Sequence, residues 1–262
     1  MGITDRNDDA GIPAVGGAPA KLAPPPSRLR RPALFLDLDG VLAPIAPSPD
    51  AVIPDARRTR VLRDLSDRLD GRIAILSGRT MRDVDRIADA AVRSASGVHG
   101  LERRRADGTL DHAGPSPQVR IAVQAFHAFA RDRPGILVED KGLAAGLHYR
   151  AAPDQAEAAG RLARDLAAQT GLTLQPGKMV LELKTPGTDK GSALKAFMAE
   201  PPFVGAVPVM LGDDLTDEFG FAAAEALGGF GVLVGSPRVS AARFGLDDVE
   251  AVLTWLETVQ AS

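Results

Sequence analysis

Two aspartates stand at the end of an apolar segment, in LFLDLDG, and they are separated by one residue. If this segment is a strand that continues through Asp37 and Asp39, both carboxylates point to the same side. Carboxylates at the carboxyl end of a parallel strand lie in the crevice where open α/β sheets bind ligands. Two carboxylates at the end of a buried strand destabilise the fold unless a cation neutralises their charge. The pattern therefore favours a cation site over a turn in which the aspartates only cap amides.

A second acidic cluster, GDDLTDE, follows the apolar segment PVML and contains Asp213, Asp214 and Asp217. Alone, such a cluster is typical of a helix N-cap followed by solvated acids. Together with the first pair, it indicates a bound cation. Because the ligands would be carboxylate oxygens, without cysteine or clustered histidine, we expect that cation to be Mg²⁺.

Two further residues could hold an anion beside the cation. Ser77 closes the strand-like part of ILSGRT, where free amides at the start of the next helix favour a negative charge. Lys190 lies at the expected start of a helix in GTDKGSALKAF, where its charge would stabilise phosphoryl oxygens. The alternatives are a serine that only caps the helix and a lysine that is only solvated.

The composition narrows the class of protein. The chain has 262 residues, of which 45% are hydrophobic and 25% charged, as in ordinary soluble globular proteins. Its 31 basic and 34 acidic residues include no basic block, so nucleic acid is not expected as a partner. The absence of cysteine excludes disulfides and a cysteine nucleophile. No apolar run has the length that spans a bilayer, so no membrane partner is expected and a cytoplasmic location is the default expectation.

The elements that would position these residues alternate along the chain. The segments ALFLDL, RIAILSG, PVMLGDD and GVLVGS are typical of buried parallel strands, and amphipathic stretches between them indicate helices. We therefore expect an α/β core with a doubly wound, Rossmann-like parallel sheet, built from residues 31–104 and 185–262. Residues 1–30 are rich in Gly, Pro and Ala and are expected to form a disordered tail.

The middle of the chain has a different pattern. The runs TLDH, ILVEDKGLAAGLHYRAA, LTLQP and KMVLELK are typical of antiparallel strands, with helices near 117–132 and 153–170. Residues 105–184 are therefore predicted to form a smaller α+β domain inserted into the core.

Four segments, in the order DLDGVL, LSGR, DKG and GDDLTDE, resemble the motifs of the haloacid dehalogenase (HAD) phosphatase superfamily. The resemblance implies that Asp37 attacks phosphorus to form an aspartyl-phosphate and that Asp39 is the general acid and then the base. Ser77 and Lys190 would hold the phosphate, and the inserted domain matches the position of the C2-type cap. We call this domain the cap. The implied Mg²⁺ ligands are Asp37, Asp39 through its carbonyl, and Asp213, with Asp214 and Asp217 supporting the metal or Lys190.

Within that superfamily, several segments are similar to trehalose-6-phosphate phosphatases: DLDGVLAPI, SGVHGLE, VEDKGLAAGLHYR, GKMVLELK followed by GTDKGSAL, and LGDDLTDEFGF. One departure is Val41, where that family usually has threonine. The resemblance implies a phosphatase of trehalose 6-phosphate that pairs functionally with a trehalose-6-phosphate synthase. The alternatives are a phosphatase of another sugar phosphate, such as sucrose phosphate or mannosyl-phosphoglycerate, and a non-catalytic sugar-phosphate sensor.

Candidate substrate-binding residues lie near the LSGR motif and in the cap, which supply the charged and hydrogen-bonding groups that sugars require. For most cap residues, a polar position on a solvent-facing sheet is a slightly better explanation. Glu182 is an exception because it lies in an apolar strand and matches the family motif. His99 and Glu102 fit equally well as part of a turn with a core histidine or as contacts at the rim near the sugar. The candidates are Gly78, Arg79, His99, Glu102, Glu139, Lys141, His148, Arg150, Lys178, Glu182 and Lys184.

Overall fold

The computed structural model describes residues 21–112, 114 and 116–262, and its largest element is an eight-stranded sheet. The first six strands across this sheet pair in parallel, and the last two form an antiparallel edge. In spatial order the strands are Phe244–Leu246 (β13), Phe230–Val234 (β12), Val207–Gly212 (β11), Pro32–Leu36 (β2), Ile73–Leu76 (β3), Ser94–Gly97 (β4), Glu102–Arg104 (β5) and Leu110–His112 (β6).

Helices cover both faces of this sheet, so its central strands are apolar throughout. Along β2, Leu34 and Leu36 enter the core on one face, while Ala33 and Phe35 enter the core on the other. The doubly wound α/β fold expected from the sequence is therefore confirmed. The helices of the first face are Ala56–Arg68 (α1), Met81–Ala88 (α2) and Val249–Thr258 (α7), and those of the second are Lys190–Met198 (α5) and Glu218–Ala226 (α6).

The helices begin at polar caps. The side chain of Thr80 accepts a hydrogen bond from the amide of Asp83 and caps the start of α2. The same helix ends at Ala88, because Asp89 and Ala90 adopt left-handed backbone conformations with φ of 51° and 47°. Within residues 21–112, 114 and 116–262, no helix combines the length and the apolar character needed to cross a membrane.

The cap contains a four-stranded antiparallel sheet with two helices packed on one face. Side chains alternate along its strands, so Leu181 and Leu183 pack beneath the helices while Glu182 and Lys184 point to the opposite face. This second face is turned toward the core. The cap strands, in spatial order, are Leu137–Asp140 (β7), Ala144–His148 (β8), Val180–Lys184 (β10) and Thr173–Gly177 (β9), and the helices are Pro117–Ala130 (α3) and Ala156–Thr170 (α4).

One strand that the sequence analysis placed in the cap belongs to the core sheet. Strand β6, within TLDH, pairs antiparallel with β5 and extends the eight-stranded sheet. The local sequence could not separate these alternatives, because an antiparallel hairpin has the same alternating pattern at the edge of either sheet. The division at 104/105 stays a prediction, and the helices and strands of the cap begin at Pro117.

The prediction of a disordered tail is wrong for residues 21–30, which the structure places against the core. Arg28–Leu29 (β1) pairs in parallel with Gln260–Ala261 (β14), and Leu29 is buried. The indole nitrogen of Trp255 also donates to the carbonyl of Pro26. This pairing is long-range, so a Pro-rich local composition does not reveal it. Residues 1–20, the rest of the expected tail, lie outside the described residues.

Candidate active site

Three aspartates converge at the carboxyl ends of β2 and β11. Asp37 directly follows β2, and Asp213 and Asp217 come from the loop after β11. One oxygen from each of the three carboxylates lies within 4.8 Å of the others, and all three residues are buried or nearly so. The chain passes close to this cluster at Gly40, which has a φ of +78° and where a Cβ would lie 2.1 Å from Oδ2 of Asp213. Only glycine fits this position without rearrangement.

Lys190 bridges two of these carboxylates. Its Nζ lies 2.9 Å from Oδ2 of Asp37 and 2.7 Å from Oδ1 of Asp217. Burial raises the pKa of Asp37 well above its usual value, although the charge of Lys190 opposes this shift. Burial likewise raises the pKa of Asp217 to about 6. Burial lowers the pKa of Lys190, but the charges of Asp217 and Asp37 outweigh that effect and hold it well above its usual value.

The loop after β11 is held by its own aspartates. Oδ2 of Asp217 accepts hydrogen bonds from the amides of Asp213 and Asp214, at 2.9 and 3.0 Å. Oδ1 of Asp214 accepts from the amide and hydroxyl of Thr216. Burial raises the pKa of Asp214, but the charge of Lys190 and the Thr216 hydrogen bonds hold it below its usual value. These contacts favour supporting roles for Asp214 and Asp217.

The donors in this cluster suit a hard divalent cation. Carboxylate oxygens converge, and the chain contains no cysteine to offer a softer ligand. Asp213 is nearly buried, and burial raises its pKa in spite of a hydrogen bond from Lys178. The cluster includes the carboxylate of Asp217, which the sequence analysis placed behind the metal, and does not include the carboxylate of Asp39.

The carboxylate of Asp39 instead binds Arg79. Nε and Nη2 of Arg79 donate to its two oxygens at 2.6 and 2.9 Å. Burial lowers the pKa of the guanidinium, but the hydrogen bond and charge of Asp39 outweigh it and raise that pKa. Ser77 directly follows β3 and is buried, and its Oγ accepts from the amide of Arg79 at 3.1 Å. Because Arg79 binds both of its carboxylate oxygens, Asp39 is held apart from the aspartate cluster.

A cavity of about 190 Å³ lies between the core and the cap. Core and cap residues from widely separated parts of the sequence share its wall. The predicted site residues that line it are Asp37, Asp39, Gly78, Arg79, His99, Glu139, Lys141, His148, Arg150, Lys178, Glu182, Lys190, Asp213 and Asp214. The wall also contains residues that the sequence analysis missed, notably Gln175, Thr216 and the loop residues Ile45, Ala46, Pro47, Ser48 and Pro49.

Lys141 anchors the cap to the core. Its Nζ donates to the carbonyl of Gly78 at 2.8 Å and forms an ion pair with Glu182. Burial lowers the pKa of Lys141, but Glu182 and Glu139 outweigh it and raise that pKa. Glu139 in turn contacts Nε2 of His148 at 2.8 Å. Oε1 of Glu182 is buried and lies 3.4 Å from Nε2 of His99, but among the described residues it accepts no hydrogen bond. A buried acceptor without a partner is costly unless a ligand supplies the donor.

His99 lies where the core meets the cap, so it is both a buried histidine and part of the cavity wall. His99 and Val98 have φ values of 52° and 45°. This left-handed conformation is costly for the β-branched Val98, and such backbone strain is common at functional sites. The imidazole ring of His99 covers Gly78, where a Cβ would lie 2.4 Å from Nε2 of His99. Nε2 of Gln175 contacts both ring nitrogens, at 3.0 and 2.9 Å. Burial, then the charges of Lys141 and other lysines, lowers the pKa of His99 well below 6.5.

Four predicted site residues lie outside the cavity wall. Ser77 and Asp217 lie behind it, with the contacts described above. Glu102 accepts a hydrogen bond from the amide of Met81 at 2.6 Å and so stabilises the start of α2. Nζ of Lys184 donates to the carbonyl of Thr188 at 2.6 Å. The geometry does not support direct substrate contact by Glu102 or Lys184.

Comparisons with known proteins agree with this geometry. The family model described as Trehalose-phosphatase matches residues 35–249. The chain is 42% identical to the trehalose-6-phosphate phosphatase of Escherichia coli (strain K12), over 87% of this chain and 86% of that protein. A crystal structure of a trehalose-6-phosphate phosphatase related protein superposes with a TM-score of 0.70 and 27% identity, covering 86% of this chain and 95% of that one.

A more distant structure extends the fold relationship. A phosphatase of the haloalkanoate (HAD) enzyme superfamily from Bacteroides thetaiotaomicron has a TM-score of 0.60 at 16% identity, with coverage of 94% and 96%. At that identity the similarity concerns the fold alone. Because the family model matches most of the chain and the 42% identical E. coli relative aligns over 87% of it, this chain belongs to the trehalose-phosphatase family.

Proposed function

We propose that this protein hydrolyses trehalose 6-phosphate to trehalose and phosphate, through an aspartyl-phosphate on Asp37. The observation that carries the proposal is one cavity, lined on its core side by Asp37, Asp39 and Lys190 and on its cap side by Glu182 and other polar residues. Reacting groups and sugar-binding groups thus face the same space. The 42% identical E. coli relative, named a trehalose-6-phosphate phosphatase, supports the choice of substrate.

In the first half of the reaction, a carboxylate oxygen of Asp37 attacks phosphorus. The bond between phosphorus and the sugar oxygen breaks, and Asp39, protonated on an oxygen that has given up its Arg79 hydrogen bond, gives its proton to the departing oxygen of trehalose. The position of Asp37 supports this role, because Leu38 N binds its Oδ1 at 2.7 Å and fixes the side chain at the cavity wall. Lys190, beside Asp37, offsets negative charge on the phosphoryl oxygens.

In the second half, Asp39 takes a proton from a water molecule, whose oxygen attacks phosphorus. The bond between phosphorus and Asp37 breaks, which releases phosphate and restores the free carboxylate. Asp37, Asp213 and the carbonyl of Asp39 would hold Mg²⁺, with Asp217 and Asp214 supporting the loop. Mg²⁺ would supply positive charge that reduces the repulsion between the anionic nucleophile and the anionic substrate.

The cap supplies groups that suit a sugar. Oε1 of Glu182 is buried near His99 and accepts no hydrogen bond among the described residues, so a sugar hydroxyl could donate to it. Lys141 and Glu139 are held beside it by ion pairs. We assign Glu139, Lys141, His148, Arg150, Lys178 and Glu182 to substrate recognition, together with Gly78, Arg79 and His99 on the core side.

The proposal is tested by measuring phosphate release from trehalose 6-phosphate, sucrose 6-phosphate, glucose 6-phosphate and p-nitrophenyl phosphate, with Mg²⁺ and with EDTA. We expect a strong preference for trehalose 6-phosphate that EDTA removes and Mg²⁺ restores. Asp37→Asn should lower kcat by a factor on the order of 10⁴ or more while the protein stays folded. Equal slow rates on all substrates would contradict the substrate, and release by Asp37→Asn at the wild-type rate would contradict the mechanism. A folded protein that binds the sugar phosphate without releasing phosphate would be a sensor.

Two further parts of the proposal concern the cell. We assign the protein to the cytoplasm and expect functional pairing with a trehalose-6-phosphate synthase, because the substrate requires an enzyme that makes it. Cell fractionation tests the location. Accumulation of trehalose 6-phosphate in a strain that lacks this protein tests the pairing.

A further inference from the structure

A lysine at the tip of a cap hairpin reaches across to the core. The hairpin joins β9 to β10 through Lys178 and Met179, and Gly177 pairs with Val180 at its base. Nζ of Lys178 forms an ion pair with Oδ2 of Asp213. Asp213 lies in the core loop after β11 and is one of the three aspartates of the candidate cation site. The ion pair therefore joins the cap to that site.

The cap holds this hairpin firmly. Nη2 of Arg150 donates to the carbonyl of Lys178 at 2.8 Å, and the amide of Tyr149 donates to the carbonyl of Met179 at 3.0 Å. The lysine side chain is half-exposed, whereas the side chain of Asp213 is only 8% exposed. Because the hairpin backbone is held within the cap, the backbone of Lys178 stays near Asp213 while the cap stays docked, and only the side chain can turn away.

Two lysines form ion pairs with the three carboxylates of this cluster. Lys190, from the core, pairs with Asp37 and Asp217. Lys178, from the cap, pairs with Asp213. A divalent cation that binds the cluster through Asp213 would face the ammonium of Lys178 on the same carboxylate. Two cations on one carboxylate repel each other, so binding of the second weakens the contact of the first.

We propose that Lys178 is a latch between the cap and the core and that a divalent cation at Asp213 weakens it. This inference rests on the cation site of the proposed function. Coupling between two sites is reciprocal. If the cation weakens the Lys178 ion pair, the ion pair must weaken cation binding by the same factor. The cation would therefore loosen one of the contacts that hold the cap to the core, while Lys141 keeps its contact with Gly78.

Calorimetric titration of Mg²⁺ into the metal-free protein tests the first consequence without measuring activity. Lys178→Ala should bind Mg²⁺ up to about 5-fold more tightly than wild type, the upper limit expected when a partly exposed ion pair no longer competes. Lys178→Arg keeps the charge and should stay near the wild-type affinity. Equal affinities for Lys178→Ala and wild type would overturn the latch.

Acylation of the Lys178 amine, followed by mass spectrometry, tests the second consequence. In wild type, Lys178 should be acylated faster with Mg²⁺ than with EDTA, because the ion pair with Asp213 no longer holds its ammonium. The exposed Lys195 is the internal control and should react at the same rate under both conditions. Acylation of Lys178 that is unchanged or slower with Mg²⁺ would overturn the latch.

A third variant separates failure of the latch from failure of the cation site. Asp213→Asn should lose most Mg²⁺ affinity if Asp213 is a ligand. Wild-type affinity in Asp213→Asn would remove both the site and the latch. Lost affinity in that variant, with no difference between Lys178→Ala and wild type, would remove the latch alone.

Discussion

Arg79 holds both carboxylate oxygens of Asp39, through Nε at 2.6 Å and Nη2 at 2.9 Å. Its remaining terminal nitrogen donates to the carbonyl of Pro49 at 2.8 Å, in the loop that lines the cavity. Asp37 and Asp39 are separated by one residue, yet they have different partners, since Asp37 binds Lys190 and Asp39 binds Arg79. This separation suits a nucleophile and an acid/base with distinct roles.

Arg79→Lys should therefore impair catalysis with little effect on folding. Lysine carries one compact ammonium, so it cannot bind both oxygens of Asp39 and the Pro49 carbonyl together. Losing one charge-assisted hydrogen bond, about 1.5–3 kcal/mol, predicts a fall in kcat of about 10-fold or more. Steady-state kinetics with trehalose 6-phosphate measures this, and Arg82→Lys, at an exposed position of α2, is the control. Wild-type kcat in Arg79→Lys would show that the pair does not position Asp39.

Lys190→Met should destabilise the metal-free protein. The substitution leaves the buried carboxylates of Asp37 and Asp217 without their ammonium, and breaking a buried ion pair costs about 3–5 kcal/mol. Added Mg²⁺ should recover part of this loss by supplying positive charge. Urea denaturation in EDTA and in Mg²⁺ measures both effects, and Lys195→Met, exposed on the same helix, is the control. A free energy of unfolding in EDTA equal to that of wild type would contradict the prediction.

Much of the core could be predicted from sequence because its signals are local. Continuous apolar runs give buried strands, and residues that directly follow neighbouring parallel strands meet at one edge of the sheet. Asp37 follows β2, Ser77 follows β3 and Asp213 follows β11, and these three strands are adjacent in the sheet. Their convergence thus follows from strand order alone.

Contacts between the core and the cap could not be predicted in the same way. Gln175 occupies an ordinary polar position in its strand, and its contact with His99 depends on how two domains dock. Glu102 was a candidate contact near the sugar because it closes the segment SGVHGLE, whereas its carboxylate accepts a hydrogen bond from the first amide of α2. Sequence distance does not decide these contacts, since they depend on the packing of distant elements.

Glu182→Gln should affect the sugar substrate selectively. The amide keeps the shape of the side chain but loses the charge that pairs with Lys141, and its nitrogen cannot accept a hydroxyl hydrogen bond. A charged hydrogen bond worth about 1.5–3 kcal/mol predicts a fall in kcat/KM for trehalose 6-phosphate of about 10- to 100-fold. Turnover of p-nitrophenyl phosphate, which has no sugar, should stay near wild type.

Glu157→Gln, on the exposed side of a cap helix, is the matched control and should resemble wild type on both substrates. An equal loss on both substrates in Glu182→Gln would show that the residue supports the fold of the cap rather than the sugar.

His99 should make the protein less stable as the pH falls. Burial, together with the charges of Lys141 and Lys190, lowers the pKa of folded His99 well below 6.5, while the unfolded chain protonates near that value. Below about pH 6.5 the unfolded state therefore binds more protons, and the stability contributed by neutral His99 is lost as the pH falls toward the folded pKa. Asp37 and Asp217 have raised pKa values and contribute with the opposite sign, so wild type alone does not isolate this effect.

The comparison with His99→Asn isolates it, because asparagine has no titrating ring and tolerates the left-handed backbone at this position. The difference in unfolding free energy, wild type minus His99→Asn, should fall by up to about 1.4 kcal/mol per pH unit between pH 6.5 and 5. Urea denaturation in EDTA at several pH values measures that difference, in which the contributions of the aspartates largely cancel. A difference that stays constant between pH 7.5 and 5 would mean that His99 protonates freely in the folded protein, and that the contact between core and cap admits its charge.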